Sequence, residues 1–234
     1  MCIRDRNKEL NLNYFHKHFS IFSFLYLILI FNASYGESLP IENYDEISEN
    51  IFWNDLYPGG GWSLYCGYRF ENSLGINEDH LFVIEHIYPI KRMLRFLNCE
   101  SRRQCRLKKN SKFIRMEADM QNLYPVWQDA SVARRNKTYG MIEGENWRFE
   151  NCDFERSLKA IEPRPLARGN ISRSIFYMHT QYGLPIDKNM IDQLKLWNKE
   201  DLPSKQEKSR NDRIEEIQGT RNPYIDDPTL VDSI

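Results

Sequence analysis

No apolar run in this sequence is long enough to cross a bilayer. The run at 19–31, "FSIFSFLYLILIF", has thirteen residues, where a spanning helix needs about 20. Cysteine is scarce as well: there are five, with no C-x-x-C pair and no histidine spacing to match one, which argues against a zinc site. Net charge is nearly absent, at a formal −1, so the chain as a whole does not advertise a polyanion partner. Internal repeats and low-complexity tracts are also missing, which leaves an ordinary globular domain of about 200 residues.

What is present begins with an export signal. The short apolar run comes after Lys17, Arg4, Arg6 and Lys8 and precedes Ser34, Gly36 and the polar "ESLP". That order is the layout of a secretory signal peptide, so residues 1–36 are expected to be removed, with cleavage near Gly36. The leading "MCIRDR" differs in character from the rest of the chain, reads as an artefact of the assigned start, and is left out of the fold reading. Beyond Gly36 the cysteines are Cys66, Cys99, Cys105 and Cys152. In an oxidising compartment they would form two disulfides, and four cysteines allow three connectivities. Cys99 and Cys105 enclose a short polar loop, so 99–105 with 66–152 is the preferred pairing.

Charge is unevenly spread. Between Lys91 and Arg115 there are ten Lys or Arg against the single acid Glu100. Such a segment is either a solvated loop or a docking surface for phosphates. It starts just after an unusual pair. In "FVIEHIYPI" (82–90) the apolar pattern of a buried strand contains Glu85 beside His86, and ionisable groups there are costly unless paired or bound to a metal.

Residues 44–56 read as an amphipathic helix, and 63–70 and 80–88 as strands. The basic stretch reads as mostly irregular. Residues 111–123 and 126–136 look like two helical pieces separated by Pro125, and 136–153 is turn-rich. Three clearer helices come next at 166–182, 187–200 and 205–218, with Gly183 and Gly219 as stop signals after two of them. Residues 226–234 read as an acidic, flexible tail. The class is α+β: a small antiparallel strand element embedded among helices.

Glu85 offers a hard carboxylate suited to Mg²⁺ or Ca²⁺, and His86 takes a proton near neutral pH. Glu117 and Asn122 in "RMEADMQNLYP" add a carboxylate and an amide. Ser131 and Arg134, spaced i, i+3, share one side of a helix. A carboxylate-held ion, a histidine base and clustered cations are what phosphodiester hydrolysis needs. Each residue also has a plainer reading: a structural histidine, a surface acid at Glu117, a cap or turn at Asn122. Neighbours in a regular strand face opposite sides, so for Glu85 and His86 to address one phosphate the strand is expected to end or bend here.

The fragments "IEHIYP", "RMEADMQNLYP", "ARRNKTYG", "EPRPLARGNISRSIFYM", "LKLWNKEDLP" and "RIEEIQGTRNPYI" occur in this order. Together they resemble the bacterial endonuclease I family of periplasmic and secreted nucleases. The resemblance implies a ββα-metal nuclease core across 37–225 and non-specific endonuclease cleavage of DNA, and of RNA as well, leaving 5′-phosphate ends. It implies a divalent ion, Mg²⁺ with Ca²⁺ or Mn²⁺ as alternatives. Apart from the resemblance, a monomer is expected, and no membrane association in the mature form, since the apolar run at 19–31 is too short to span. By the same resemblance His86 is the general base, Glu85 the metal-binding carboxylate and Glu117 an acid supporting the histidine or a metal-bound water. Arg102 holds the scissile phosphate, with Arg103 inseparable from it. Asn122, Arg134 and Arg168 fall among substrate-contacting positions.

One position departs from the family pattern. The second metal ligand is an asparagine in the family and Ser131 here, a shorter and weaker ligand. Gln121 likewise stands where many relatives have histidine. The alternative to an enzyme is therefore an exported nucleic-acid-binding protein with impaired catalysis.

Overall fold

Ile47, Phe52 and Leu56 are buried in steps of five and four, a spacing that an i→i+5 helix brings onto one side. The computed structural model, which describes residues 43–71 and 80–234, has that helix. α1 (Tyr44–Glu46), capped by the Asn43 side chain, runs into a π-helical segment at Ile47–Leu56. The expected signal segment 1–36 lies outside the described residues.

The strand expected over 63–70 is mostly a turn. β1 (Gly61–Trp62) pairs antiparallel with β2 (Arg69–Phe70). Between them Gly67 N–H donates to the Ser63 carbonyl at 2.9 Å, and the Ser63 hydroxyl accepts from Tyr68 N–H. Local side-chain bonds of this kind compete with a ladder, and Cys66 is tied away by its disulfide to Cys152.

β3 (Phe82–His86) pairs antiparallel with β4 (Leu123–Trp127), with Glu85 opposite Tyr124 and His86 opposite Leu123. Pro125, expected to separate two helices, thus lies within a strand. Proline is tolerated here because β4 has one strand neighbour among the described residues, so no ladder N–H is required on its other side. There the Pro125 carbonyl accepts from Leu64 N–H at 2.8 Å. Between β3 and β4 the basic stretch is helical rather than irregular: α2 (Ile90–Phe96), α3 (Arg102–Leu107) and α4 (Ser111–Ala118), then a 3₁₀ turn at Met120–Asn122. Ser101 and Asn110 cap α3 and α4 by accepting from Gln104 and Phe113 N–H, which supplies start signals that basic composition masked. The second disulfide, Cys99–Cys105, joins the loop before α3 to α3 itself. α5 (Gln128–Arg134) then packs on β3 and β4.

The turn-rich region contributes a second sheet of order β5-β7-β6, from β5 (Thr138–Tyr139), β6 (Phe154–Arg156) and β7 (Ala160–Pro163). β7 is parallel to β5 and antiparallel to β6.

α6 (Pro165–Tyr182), α7 (Lys188–Glu200) and α8 (Lys205–Gln218) lie where the sequence pattern puts them, and Gly183 and Gly219 end α6 and α8 at φ +70° and +73°. Those positive φ values are what glycine permits. α6 is central, with residues 171–178 all buried. Its polar members find partners in neighbouring elements. Ser174 donates to the Gln121 carbonyl, and Arg173 makes a two-pronged ion pair with Glu207 at 2.7 and 2.6 Å, linking α6 to α8. Gly169 is where α6 meets the end of α7: a Cβ there would collide with the Asp201 carbonyl oxygen. Gly169→Ala is therefore expected to lower stability by about 1–3 kcal/mol, read as a drop in the urea midpoint; an unchanged midpoint would contradict this packing.

The C-terminal residues differ from the flexible tail expected of them. α9 (Pro223–Asp226) leads into a 3₁₀ turn at Pro228–Ser233, Val231 is fully buried, and Lys195 holds the Ile234 carbonyl at 2.6 Å. The class is α+β, with small, mostly antiparallel sheets among many helices. None of the described helices is long and apolar enough to cross a membrane.

Candidate active site

Glu85 and His86 close β3, and their side chains leave it on opposite sides. The strand continues through both residues and stops after His86, so the expected end or bend comes one residue later than needed to bring them together directly. Pleating alone accounts for this. Two neighbouring clusters result.

On one side, α5 presents Ser131 and Arg134 to Glu85. Ser131 Oγ donates to Glu85 Oε2 at 2.5 Å, and Arg134 Nη1 donates to Oε1 at 2.5 Å. The i, i+3 spacing of Ser131 and Arg134 puts both on the helix face that meets the strand. Arg134 also reaches the carbonyls of His86 at 2.9 Å and Ile87 at 2.6 Å, and stacks over Tyr139. Only 2 % exposed, it is a structural cation holding the strand end, not the contact to a nucleic-acid backbone expected of it.

On the other side, His86 meets α4. Its Nε2 lies 2.8 Å from the Glu117 backbone carbonyl. A carbonyl can only accept, so Nε2 carries the proton and Nδ1 is left bare. Tyr44 of α1 covers the ring at a centroid distance of 5.1 Å. Burial, reinforced by the charges of Arg102, Arg134 and Arg106, lowers the imidazole from its ordinary value to about 3. The ring is thus neutral across the working pH range and has an open lone pair. Its neutrality depends partly on cations that a bound phosphate would offset.

The Glu117 carboxylate, 1 % exposed, receives Arg102 Nε at 2.5 Å and Arg106 Nε at 2.7 Å. Arg102 engages Glu117 through Nε alone, lies over the Tyr44 ring at 4.9 Å and remains half-buried. Arg103 is exposed and makes no ion pair among the described residues. The two arginines that the sequence could not separate are thus distinguished: Arg102 faces the histidine cluster and Arg103 faces solvent. Arg106 is an addition to the expected set, although its i+4 spacing from Arg102 on one helix is a readable signal. Tyr44 has no sequence signal, because it comes from a distant element.

Two further expectations give way. Asn122 is fully buried; its Oδ1 accepts from Tyr88 N–H at 2.6 Å and its Nδ2 donates to the Tyr88 carbonyl at 3.1 Å. Both ends of the amide are engaged in closing the turn after β3, and the side chain faces the interior rather than the surface. Arg168 is held by Glu162 at 2.7 Å and the Pro163 carbonyl, and its guanidinium lies over Trp197. It belongs to the start of α6 and the second sheet rather than to the histidine cluster. Gln121, at the position where the sequence departs from many relatives, is buried and donates to Asn211.

A strand-end histidine with a bare nitrogen, arginines around it and an acidic oxygen pair next door is a constellation suited to phosphodiester chemistry, and sequence comparison says which family carries it. The sequence profile described as Endonuclease I matches residues 61–229. The chain belongs to the endonuclease I family. An extracellular deoxyribonuclease of Aeromonas hydrophila is 31 % identical over 148 residues, 61 % of this chain and 64 % of the relative. Endonuclease-1 of Buchnera aphidicola subsp. Acyrthosiphon pisum is 28 % identical over 167 residues, 68 % and 64 % of the two chains. A ribonuclease is also similar: the extracellular enzyme of Bacillus amyloliquefaciens, 36 % identical over 92 residues, 31 % of this chain and 32 % of its own. This endonuclease I family member spans under two thirds of the length of the curated relatives named first.

The donor set at Glu85 bears on whether a metal fits. Two hard oxygens, a carboxylate and a hydroxyl, lie 2.5 Å apart, and Arg134 offsets much of the negative charge. In chemical type these oxygens suit a hard divalent cation, which takes one or two protein oxygens and keeps several waters. An ion would, however, have to displace the Ser131–Glu85 hydrogen bond, because both Glu85 oxygens are engaged. The pair is not a closed protein cage.

Proposed function

We propose that the chain is an exported endonuclease hydrolysing DNA, and RNA as well, with little sequence preference. β3, β4 and α5 form its ββα core within a domain at 37–225, and it acts as a monomer. The observation that supports this best is the His86 imidazole. It is neutral, fixed through Nε2 by a backbone carbonyl, and open at Nδ1 within a ring of arginines. His86 is the general base and removes a proton from the attacking water at Nδ1. Glu117 orients it through its carbonyl and, through its carboxylate, holds Arg102 beside it. The remaining donors of Arg102 neutralise the phosphate, with Arg103 binding farther along the backbone. Glu85 and Ser131 would hold the divalent ion, Mg²⁺ in this reading, which supplies positive charge to the phosphate and the departing oxygen. For strand neighbours to serve one phosphodiester, the substrate crosses the end of β3, where pairing stops. Arg134 couples the two sides by binding the Glu85 carboxylate and the His86 carbonyl together.

Export is supported by the two disulfides, which suit an oxidising compartment, and by relatives named extracellular or periplasmic. Activity on RNA is supported by the relative named a ribonuclease. The experiment is plasmid nicking with Mg²⁺, Ca²⁺ or Mn²⁺ and with EDTA. Cleavage is expected with at least one ion and is expected to stop under chelation; full activity in EDTA would remove the ion from the mechanism. Rising salt is expected to weaken binding steeply, since Lys and Arg contacts release counterions.

A second reading is favoured by Ser131 itself. A hydroxyl at this position is a poorer ligand than an amide oxygen, which would suit a binder with impaired cleavage. Such a protein shifts DNA in a gel without nicking it. Ser131→Asn separates the readings: a gain of about tenfold or more in rate would support decay at this position, and no gain would argue against it.

A further inference from the structure

Away from the histidine, a buried carboxylate has no hydrogen-bond partner among the described residues. Glu155 lies on β6, 2 % exposed, and both of its carboxylate oxygens are buried without a hydrogen bond. Across the ladder it faces another acid, Glu162, and like charges directly opposite destabilise a sheet. Glu162 itself is satisfied by Arg168 and by Ile142 N–H, so it offers Glu155 nothing. Burial, together with the charges of Asp153, Glu162 and Glu145, pushes the Glu155 carboxyl up to about 7. An ionised carboxylate held like this is costly unless a cation meets it.

The neighbours supply the rest of a cation site. Asp153, just ahead of β6, and Glu155 within it flank the buried Phe154, and an oxygen of each lies near the other. Glu145 comes from the preceding loop, and one ligand oxygen from each of the three acids lies within 4.8 Å of the others. Oxygens that close together can contact a single ion. The three differ in exposure: Glu145 is open to solvent, Asp153 half-buried and Glu155 buried. An ion can therefore enter from the Glu145 side and settle on Glu155, where two free oxygens allow bidentate binding. Mg²⁺ demands near-ideal octahedral geometry and gives up water reluctantly, whereas Ca²⁺ accepts irregular carboxylate sets.

We propose that Glu145, Asp153 and Glu155 form a structural Ca²⁺ site, separate from the Glu85 centre, that fastens the 140–153 loop to the second sheet. The disulfide half Cys152 adjoins Asp153, so the ion and the disulfide brace the same segment from two sides. Both would act on an exported protein, which meets Ca²⁺ at concentrations matching the Kd of about 10⁻⁴–10⁻³ M usual for extracellular modules.

Trp147 gives the site its own reporter, since its indole Nε1 lies 3.4 Å from Glu145 Oε2. Tb³⁺ as a Ca²⁺ probe, excited through tryptophan, is expected to luminesce with the wild-type protein and with Glu85→Gln, and to lose most of that emission with Glu155→Gln. In parallel, about 10 mM Ca²⁺ is expected to raise the wild-type Tm by about 3–8 °C over EDTA. Glu155→Gln is expected to keep or exceed the wild-type Tm in EDTA, because an unpaired buried charge is gone, and to show no Ca²⁺ increment. Asp153→Asn, read the same way, covers the case in which Glu155→Gln does not fold. Emission that survives Glu155→Gln and Asp153→Asn but disappears with Glu85→Gln would overturn the proposal, as would a wild-type Tm indifferent to Ca²⁺. Neither readout depends on cleavage, so the nuclease assignment and this site stand or fall separately.

Discussion

His86→Ala is expected to lower cleavage by about 10²–10⁴-fold, the range of a positioned general base, while leaving DNA binding within a few-fold of the wild type. The asymmetry comes from where the charge lies. Nothing in the imidazole supplies positive charge, because burial and the surrounding arginines keep it neutral. Binding would come instead from Arg102, Arg103 and the exposed lysines and arginines of the basic stretch. The removed ring leaves a space between Tyr44 and the Glu117 carbonyl, so a modest fall in Tm should accompany the loss of rate. Gel shift and single-turnover nicking on one preparation check both halves. A rate within threefold of wild type would take the histidine out of the chemistry; equal loss of binding and cleavage would make it a structural residue.

Glu85→Gln tests the opposite side of the strand. The substitution keeps shape but removes a negative charge from two partners at once. The Arg134 guanidinium, 2 % exposed, then loses its ion-pair partner and keeps the His86 and Ile87 carbonyls and the Tyr139 ring. Breaking a buried pair from one side costs about 3–5 kcal/mol, reduced here because those carbonyls remain. The expected outcome is a clear drop in Tm together with a loss in rate of about 10²–10³-fold that higher Mg²⁺ does not restore. Partial rescue by high Mg²⁺ would mean that Glu85 acts chiefly by raising the ion's affinity rather than by placing it. A wild-type Tm would mean that the Glu85–Arg134 contact contributes little to the strand end.

Legibility varies with how local each signal is. The three C-terminal helices are readable to within a residue or two because their start and stop signals sit in the helices themselves, with Gly183 and Gly219 at positive φ. The helices of the basic stretch are hidden because their caps, Ser101 and Asn110, lie inside a run whose charge suggests a loop. β4 is hidden because Pro125 argues against a strand unless one edge is open, and edge position is not written in a window of residues. Among the site residues, the grouping of Ser131 with Glu85 and the involvement of Glu117 are legible in the motifs. The burial of Asn122 and Arg134 is not, since it depends on Tyr88 and the end of β3, both remote in sequence. Glu155 gives no signal because an acid on an exposed-looking turn and one sealed against Glu162 read the same.

By itself, the sequence determined the residue types available for chemistry, the pairing of four cysteines most compatible with their spacing, the three C-terminal helices, and membership in a family. These are local or pattern properties, encoded in neighbours along the chain. Only the tertiary structure decided which nitrogen of His86 is bare, which arginine is engaged by Glu117, and that strand neighbours divide between two clusters. Those outcomes depend on burial and on hydrogen bonds between elements far apart along the chain, such as His86 with Glu117 and Glu85 with Arg134. Packing removes water from one group and leaves it on its neighbour, and no local window of sequence records which.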